Sequence, residues 1–158
     1  MNESSRKIFL TLFYSGLSKK APGTVGSLLA LILGMFIINF FNLTTLFLLS
    51  ILITIVAIKE INIYERMIGT HDNSEIVIDE LAGMWIAMSI AGVTSDGYLM
   101  ATLAFVFFRI FDIWKPSIIG RIDKNVDGGM GVMGDDIVAG VFAGLSAALV
   151  NHLIVTFI

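Results

Sequence analysis

Five carboxylates of this chain sit where carboxylates are costly. Asp79 and Glu80 lie near the start of one apolar run, Asp112 near the end of another, and Asp135 and Asp136 at the start of a third. A charged side chain inside a spanning helix costs roughly 2.5–3.5 kcal/mol at mid-bilayer and less toward the end, so each of these groups needs a reason. Arg109 precedes Asp112 by three residues and can pair with it on one helix face, and Lys115 closes the same helix beside Asp112. Oxygen ligands beside two cations, in a chain with no cysteine, describe a hard-cation site for a phosphorylated substrate. Phosphate as an added ligand favours Mg2+. The metal would screen phosphate charge and help orient water, while Arg109 and Lys115 would hold nonbridging oxygens.

Other polar segments fall on the same side of the apolar runs. Gly16 to Ser27 is a Gly/Ser/Thr loop feeding a helix. Its residues Thr24, Gly26 and Ser27 can bring hydroxyls and backbone N–H groups to an anion at a helix N-terminus. A plain helix cap at Thr24 or Ser27 explains the same residues. The segment is not a Walker sequence, so nucleotide binding is not implied. Glu75 and Asp79, four apart, share a helix face, whereas Glu80 points about 100° away from Asp79. The Gly-rich turn from Asp127 ends at Asp135 and Asp136, which open a helix; capping accounts for one of them and does not require both. His71 is a lone loop histidine, a type more often solvent-exposed than catalytic. Gly140 to Gly144 forms a small-xxx-small stripe suited to close helix packing within one chain or between two, which leaves a homo-oligomer open.

The elements that position these groups follow from composition. The chain has 158 residues, 56% hydrophobic and only 15% charged, with a mean hydropathy of +0.89, whereas soluble domains carry about 25% charged residues. We read a single membrane-embedded domain over 1–158, an all-α polytopic helix bundle with about five spanning helices. Ala21 to Ile58 holds 38 residues without a formal charge, roughly 57 Å as one helix, which suits two crossings and a hairpin near Asn39–Thr45. The predicted spans are Val25–Phe41, Leu43–Ile58, Ile76–Ser95, Tyr98–Trp114 and Asp136–Ile158. Pro116 stops the fourth. The polar start with Arg6 and Lys7, followed by the short apolar run Ile8–Tyr14, reads as an interfacial amphipathic helix and not as a cleavable signal. A net charge of −3 leaves no footprint for nucleic acid.

All ten Lys and Arg residues fall on one side of these spans, which makes that side cytoplasmic. Twelve of the thirteen acidic residues share it, Asp96 being the exception. The chemistry therefore belongs at the cytoplasmic leaflet.

Four blocks then carry a resemblance: Ala21–Ser27 (Ala-Pro-Gly-Thr-Val-Gly-Ser), Ile76–Glu80 through Gly83, Phe108–Asp112 with Lys115-Pro116, and Gly128–Met133 with Asp135-Asp136 and Ala139-Gly140. In this order they resemble the phosphatidylglycerophosphatase A family over about Gly16 to Gly144. The resemblance implies a bacterial inner-membrane, Mg2+-dependent phosphatase converting phosphatidylglycerophosphate to phosphatidylglycerol, with a membrane phospholipid as its partner. The residues expected to act are Asp79, Glu80, Asp112 and Asp136. Metal ligands would be Asp79, Glu80, Asp135 and Asp136, with Asp112 a further ligand or the holder of Arg109. Two departures from the family pattern stand out: Ser117-Ile118-Ile119 stands where Trp-Pro-Ile is expected, and Lys20 where an apolar residue is common. Neither touches a carboxylate.

Rival classes fit less well. A CDP-alcohol phosphotransferase also places aspartates on membrane helices, but its spacing is not present. A membrane transporter would distribute intramembrane charge along a path, and here the charges cluster at one face. A non-enzymatic membrane assembly protein is the remaining alternative.

Overall fold

The computed structural model describes residues 1–69 and 73–157. Among them the secondary structure is entirely helical: α1 (Glu3–Leu10), α2 (Pro22–Phe40), α3 (Leu43–Ile68), α4 (Ile78–Ala91), α5 (Tyr98–Trp114), α6 (Ile118–Asn125) and α7 (Gly128–Phe157), with a 3-10 turn at Ser15–Leu17.

Local chemistry sets several boundaries. Asn2 caps α1 by accepting from the Ser5 amide at 2.8 Å, and Asn42 caps α3 by accepting from the Thr45 amide at 2.8 Å. The hairpin between α2 and α3 thus turns where the asparagines interrupt the apolar background. Pro22 opens α2, where its missing N–H costs nothing. Gly69 and Gly92 end α3 and α4 in the left-handed conformation, at φ 71° and 72°.

Three helices differ from the expected spans. α3 continues ten residues beyond Ile58, because Lys59, Glu60 and Arg66 end the apolar run without breaking a helix, and no glycine or proline intervenes before Gly69. α4 starts at Ile78, since the Val77 amide donates to the Leu10 carbonyl at 3.0 Å and holds Ile76 and Val77 outside the helix. Glu75 therefore does not share a helix face with Asp79; it lies before α4, 3.8 Å from Lys7. The largest difference is α7, which begins at Gly128 and not at Asp136. Gly129 is there for close approach: a Cβ on it would strike the Ile58 carbonyl of α3, and its amide donates to Asn62 Oδ1 at 2.8 Å. Asp135 and Asp136 consequently sit inside α7, two turns from its start, and cap nothing.

α4 is the axis of the bundle, packed against α2, α3, α5 and α7 and buried along nearly its whole length. The residues turned outward from the surrounding helices are apolar, including Phe36, Phe40, Leu52, Ile55, Val106, Leu145 and Leu149. A belt of this size belongs against lipid. α2, α3 and α7, with 19, 26 and 30 residues, are long and apolar enough to cross a membrane. α4 and α5 have 14 and 17 residues, short of the roughly 20 that a self-sufficient crossing takes. α4 is sheathed by protein and has little lipid of its own to match. The expected interfacial helix corresponds to α1, whose Arg6 is buried and donates to Glu60 Oε2 of α3 at 2.8 Å.

Candidate functional site

The crossing of α4 and α7 brings the carboxylates together. Gly83 and Gly140 meet there: a Cβ on Gly140 would collide with the Gly83 carbonyl, and a Cβ on Gly83 would come within 2.5 Å of the Asp136 carbonyl and 2.7 Å of the Phe108 ring. With no side chain on either helix the backbones touch, and Asp136 is pressed toward the first turn of α4. Asp79, Glu80 and Asp136 each place a carboxylate oxygen within 4.8 Å of the others. Glu80 and Asp136 are 9% and 3% exposed, and Asp79 is half-buried. Asp79 Oδ1, Glu80 Oε2 and Asp136 Oδ2 are buried and accept no hydrogen bond among the described residues. Orphaned anionic oxygens are expensive. One carboxylate oxygen from each of the three, all within 4.8 Å of one another, is the donor set of a hard cation, so the residues fit Mg2+.

These carboxylates line a cavity of about 390 Å³ together with Asp112, Lys115, Asp123, Asp135 and Gly23. Asp135 shares the cavity but lies outside the trio: its Oδ2 accepts from Lys115 Nζ at 2.7 Å and its Oδ1 from the Asp136 amide at 3.0 Å. Lys115 also pairs with Asp123. Partial burial alone would lower the Lys115 pKa, but the hydrogen bonds to Asp123 and Asp135 outweigh it and hold the pKa above the ordinary lysine value. The ammonium is thus a permanent charge on the cavity wall, already shared between two carboxylates. Asp123, on the short helix α6, is not among the residues that the sequence singles out. The available signal is that Ile118, Ile119 and Ile122 form an apolar face beside Arg121, Asp123 and Lys124, marking a small amphipathic helix that must dock somewhere.

Arg109 and Asp112 pair as their spacing predicts, with Nη1 to Oδ2 at 2.6 Å. The same Nη1 donates to Ser27 Oγ at 3.0 Å, and Ser27 in turn donates to the Gly23 carbonyl at 2.7 Å. Ser27 therefore holds Arg109 and does not itself line the cavity. Gly26 serves packing, since a Cβ there would lie 2.8 Å from Val77 Cβ. Thr24 is half-buried and is not among the cavity's lining residues. From Pro22 on, the segment expected to be a loop is the first two turns of α2, and its residue that reaches the cavity is Gly23: a Cβ there would run into Glu80 Oε1 and stand 3.4 Å from the Arg109 guanidinium. The first turn of α2 thus lets the Arg109 charge approach the carboxylates across a bare backbone. His71 lies outside the described residues.

A trio of largely buried carboxylates, two cations anchored by further carboxylates and an opening of this size can bind a cation and a phosphate side by side. Residues 8–151 match the family model described as "Phosphatidylglycerophosphatase A". The chain is 41% identical to phosphatidylglycerophosphatase A of Escherichia coli (strain K12), over 89% of this chain and 80% of that protein. It is 34% identical to phosphatidylglycerophosphatase A of Haemophilus influenzae, over 83% of this chain and 79% of that one. A Bacteroides thetaiotaomicron protein named "Putative phosphatidylinositol-3-phosphatase" is 38% identical, over 91% and 92%. No solved structure matches the chain.

Proposed function

Because the chain belongs to the phosphatidylglycerophosphatase A family, we propose that it is a Mg2+-dependent lipid phosphatase. In this reading it hydrolyses phosphatidylglycerophosphate to phosphatidylglycerol and phosphate at the cytoplasmic face of a bacterial inner membrane. The observation that carries it is the convergence of Asp79, Glu80 and Asp136, with orphaned oxygens, in one cavity with Lys115 and beside Arg109.

In the overall reaction the P–O bond to the terminal glycerol breaks, a water oxygen joins phosphorus, and a proton from that water ends on the glycerol oxygen. Asp79, Glu80 and Asp136 would hold Mg2+, which supplies Lewis-acid screening of the phosphate and a lowered pKa for water. Lys115, tethered by Asp123 and Asp135, offers a fixed positive charge to the phosphate oxygens. Arg109 does the same from behind Gly23, its orientation set by Asp112 and Ser27. A terminal phosphomonoester dianion meets all of these charges, whereas the phosphodiester product carries less charge and no terminal group. The headgroup enters the cavity while the tails stay outside it.

The test is phosphate release by purified protein in detergent or vesicles, with Mg2+ and with chelator. Phosphatidylglycerophosphate should turn over fastest, phosphatidic acid more slowly and glycerol phosphate hardly at all, with activity lost on chelation. Phosphatidylinositol 3-phosphate belongs in the panel because of the Bacteroides relative; faster release from it would reassign the substrate. Equal turnover of glycerol phosphate and the lipid would leave a general phosphatase instead.

Orientation is testable separately. Arg66 and Lys124 are exposed, and so is Thr156 at the far end of α7. In this cysteine-free chain, single Arg66→Cys and Lys124→Cys substitutions should resist impermeant thiol reagents in intact cells, while Thr156→Cys should label. Labelling of Arg66→Cys from outside would invert the topology.

A further inference from the structure

On the outer face of α5, Phe105, Val106, Arg109, Ile110, Ile113 and Trp114 line an open apolar trough of about 500 Å³. Their spacing, i, i+1, i+4, i+5, i+8 and i+9, is one continuous helical stripe, roughly 13 Å long. Arg109 is its sole charged member, and it faces two ways. Its Nη1 is tied to Asp112 and Ser27 at the candidate site, while the residue also lines the trough, as a long side chain with an apolar stem and a charged head can. Its Nε is buried and has no acceptor among the described residues. That nitrogen is closed off from the surface, and what joins the polar site to the apolar trough is the Arg109 side chain as a whole, paired with Asp112 at one end and lining the trough.

We infer that the α5 trough seats an acyl chain of the lipid whose phosphate enters the cavity, with Arg109 marking the point where headgroup meets tail. The inference rests on the lipid-phosphatase reading and adds the residues that decide tail length. Continuity through Arg109 identifies the occupant, since a chain emerging there meets the trough first. Tails leaving bulk lipid gain little from water exclusion, so the trough acts by positioning. Val106 lies roughly 9 Å along the helix axis from Asp112, on the side away from Lys115. It is 45% exposed, so a larger side chain there fills the trough without entering the core. Short tails should end before reaching it.

The experiment compares kcat/KM for dipalmitoyl and dihexanoyl phosphatidylglycerophosphate in mixed micelles. Val106→Trp should lower the long-to-short ratio roughly tenfold, since a displaced tail misplaces the phosphate, and Val106→Ala should leave or raise it. An unchanged ratio in both variants, or an equal loss on both substrates in Val106→Trp, would overturn the inference. If Val106→Trp dissociates an oligomer without altering the chain-length profile, a second copy occupies the trough and the inference fails. A second arm does not need turnover: a phosphatidylglycerophosphate with a diazirine midway along one tail should label the 105–114 segment. Excess unlabelled lipid should compete, and Val106→Trp should reduce the labelling. Labelling without hydrolysis would sink the phosphatase reading and keep the trough. Hydrolysis with labels spread evenly over the outward faces of α2, α3 and α7 would do the reverse.

Discussion

Asp79→Asn and Asp136→Asn are each expected to lower phosphate release by roughly 10³-fold, because a metal acting as Lewis acid supplies several kcal/mol of transition-state stabilisation. Asparagine keeps the size and one oxygen but removes a ligand charge. Stability should move the other way in chelator. Three carboxylates within 4.8 Å, each with a buried oxygen lacking a donor, repel one another and carry unpaid desolvation. Neutralising one removes part of both costs. Thermal unfolding in chelator should therefore show the variants as stable as the parent or more so, and added Mg2+ should raise the parent's midpoint more than theirs. A variant with full activity would remove that residue from the site. Equal stabilisation of parent and variants by Mg2+ would move the cation elsewhere.

Gly140→Ala should be nearly as damaging, although no chemical group is lost. The added methyl meets the Gly83 backbone of α4, and no rotamer change can relieve a collision between backbones. Alanine favours a helix over glycine by about 1 kcal/mol, but α4 and α7 can accommodate the methyl only by moving apart. That motion separates Asp136 from Asp79 and Glu80. A displacement near 1 Å can cost on the order of 100-fold in rate, and this is the expected loss, accompanied by weaker Mg2+ stabilisation. Gly134→Ala is the control on the same helix, where the methyl would meet only the Ile122 side chain at 3.2 Å, a group free to shift. Wild-type turnover in Gly140→Ala would show that the crossing does not set the carboxylate geometry.

The two predictions differ in how visible their residues are in sequence. Asp79, Glu80, Asp112 and Asp136 stand out because charge in an apolar run is costly wherever the helix ends up packing, and the i, i+3 spacing of Arg109 and Asp112 holds for a single helix by itself. The hairpin at Asn42 is legible for the same reason: a cap is a local bond within four residues. The Gly-rich stretch before Asp135 reads as a turn, yet it is the first part of α7. Glycine is ambiguous in sequence, since it serves both loose loops and the tightest helix contacts, and only the position of Ile58 on α3 decides between them.

What the sequence alone determined is therefore the helical class, the apolar belt, the single face that gathers the charges and the acidic residues worth testing. These follow from solvation cost and from bonds between near neighbours in the chain. The tertiary structure decided the division of labour among them. Asp135 is occupied by Lys115 and stands outside the trio, Ser27 supports Arg109, Gly23 reaches the cavity in place of Thr24 and Gly26, and Asp123 joins from α6. Each of these outcomes depends on the approach of helices far apart in sequence. Helical periodicity places a residue on a face, but what that face meets is set by the backbone contact at Gly83 and Gly140 and by the packing that permits it.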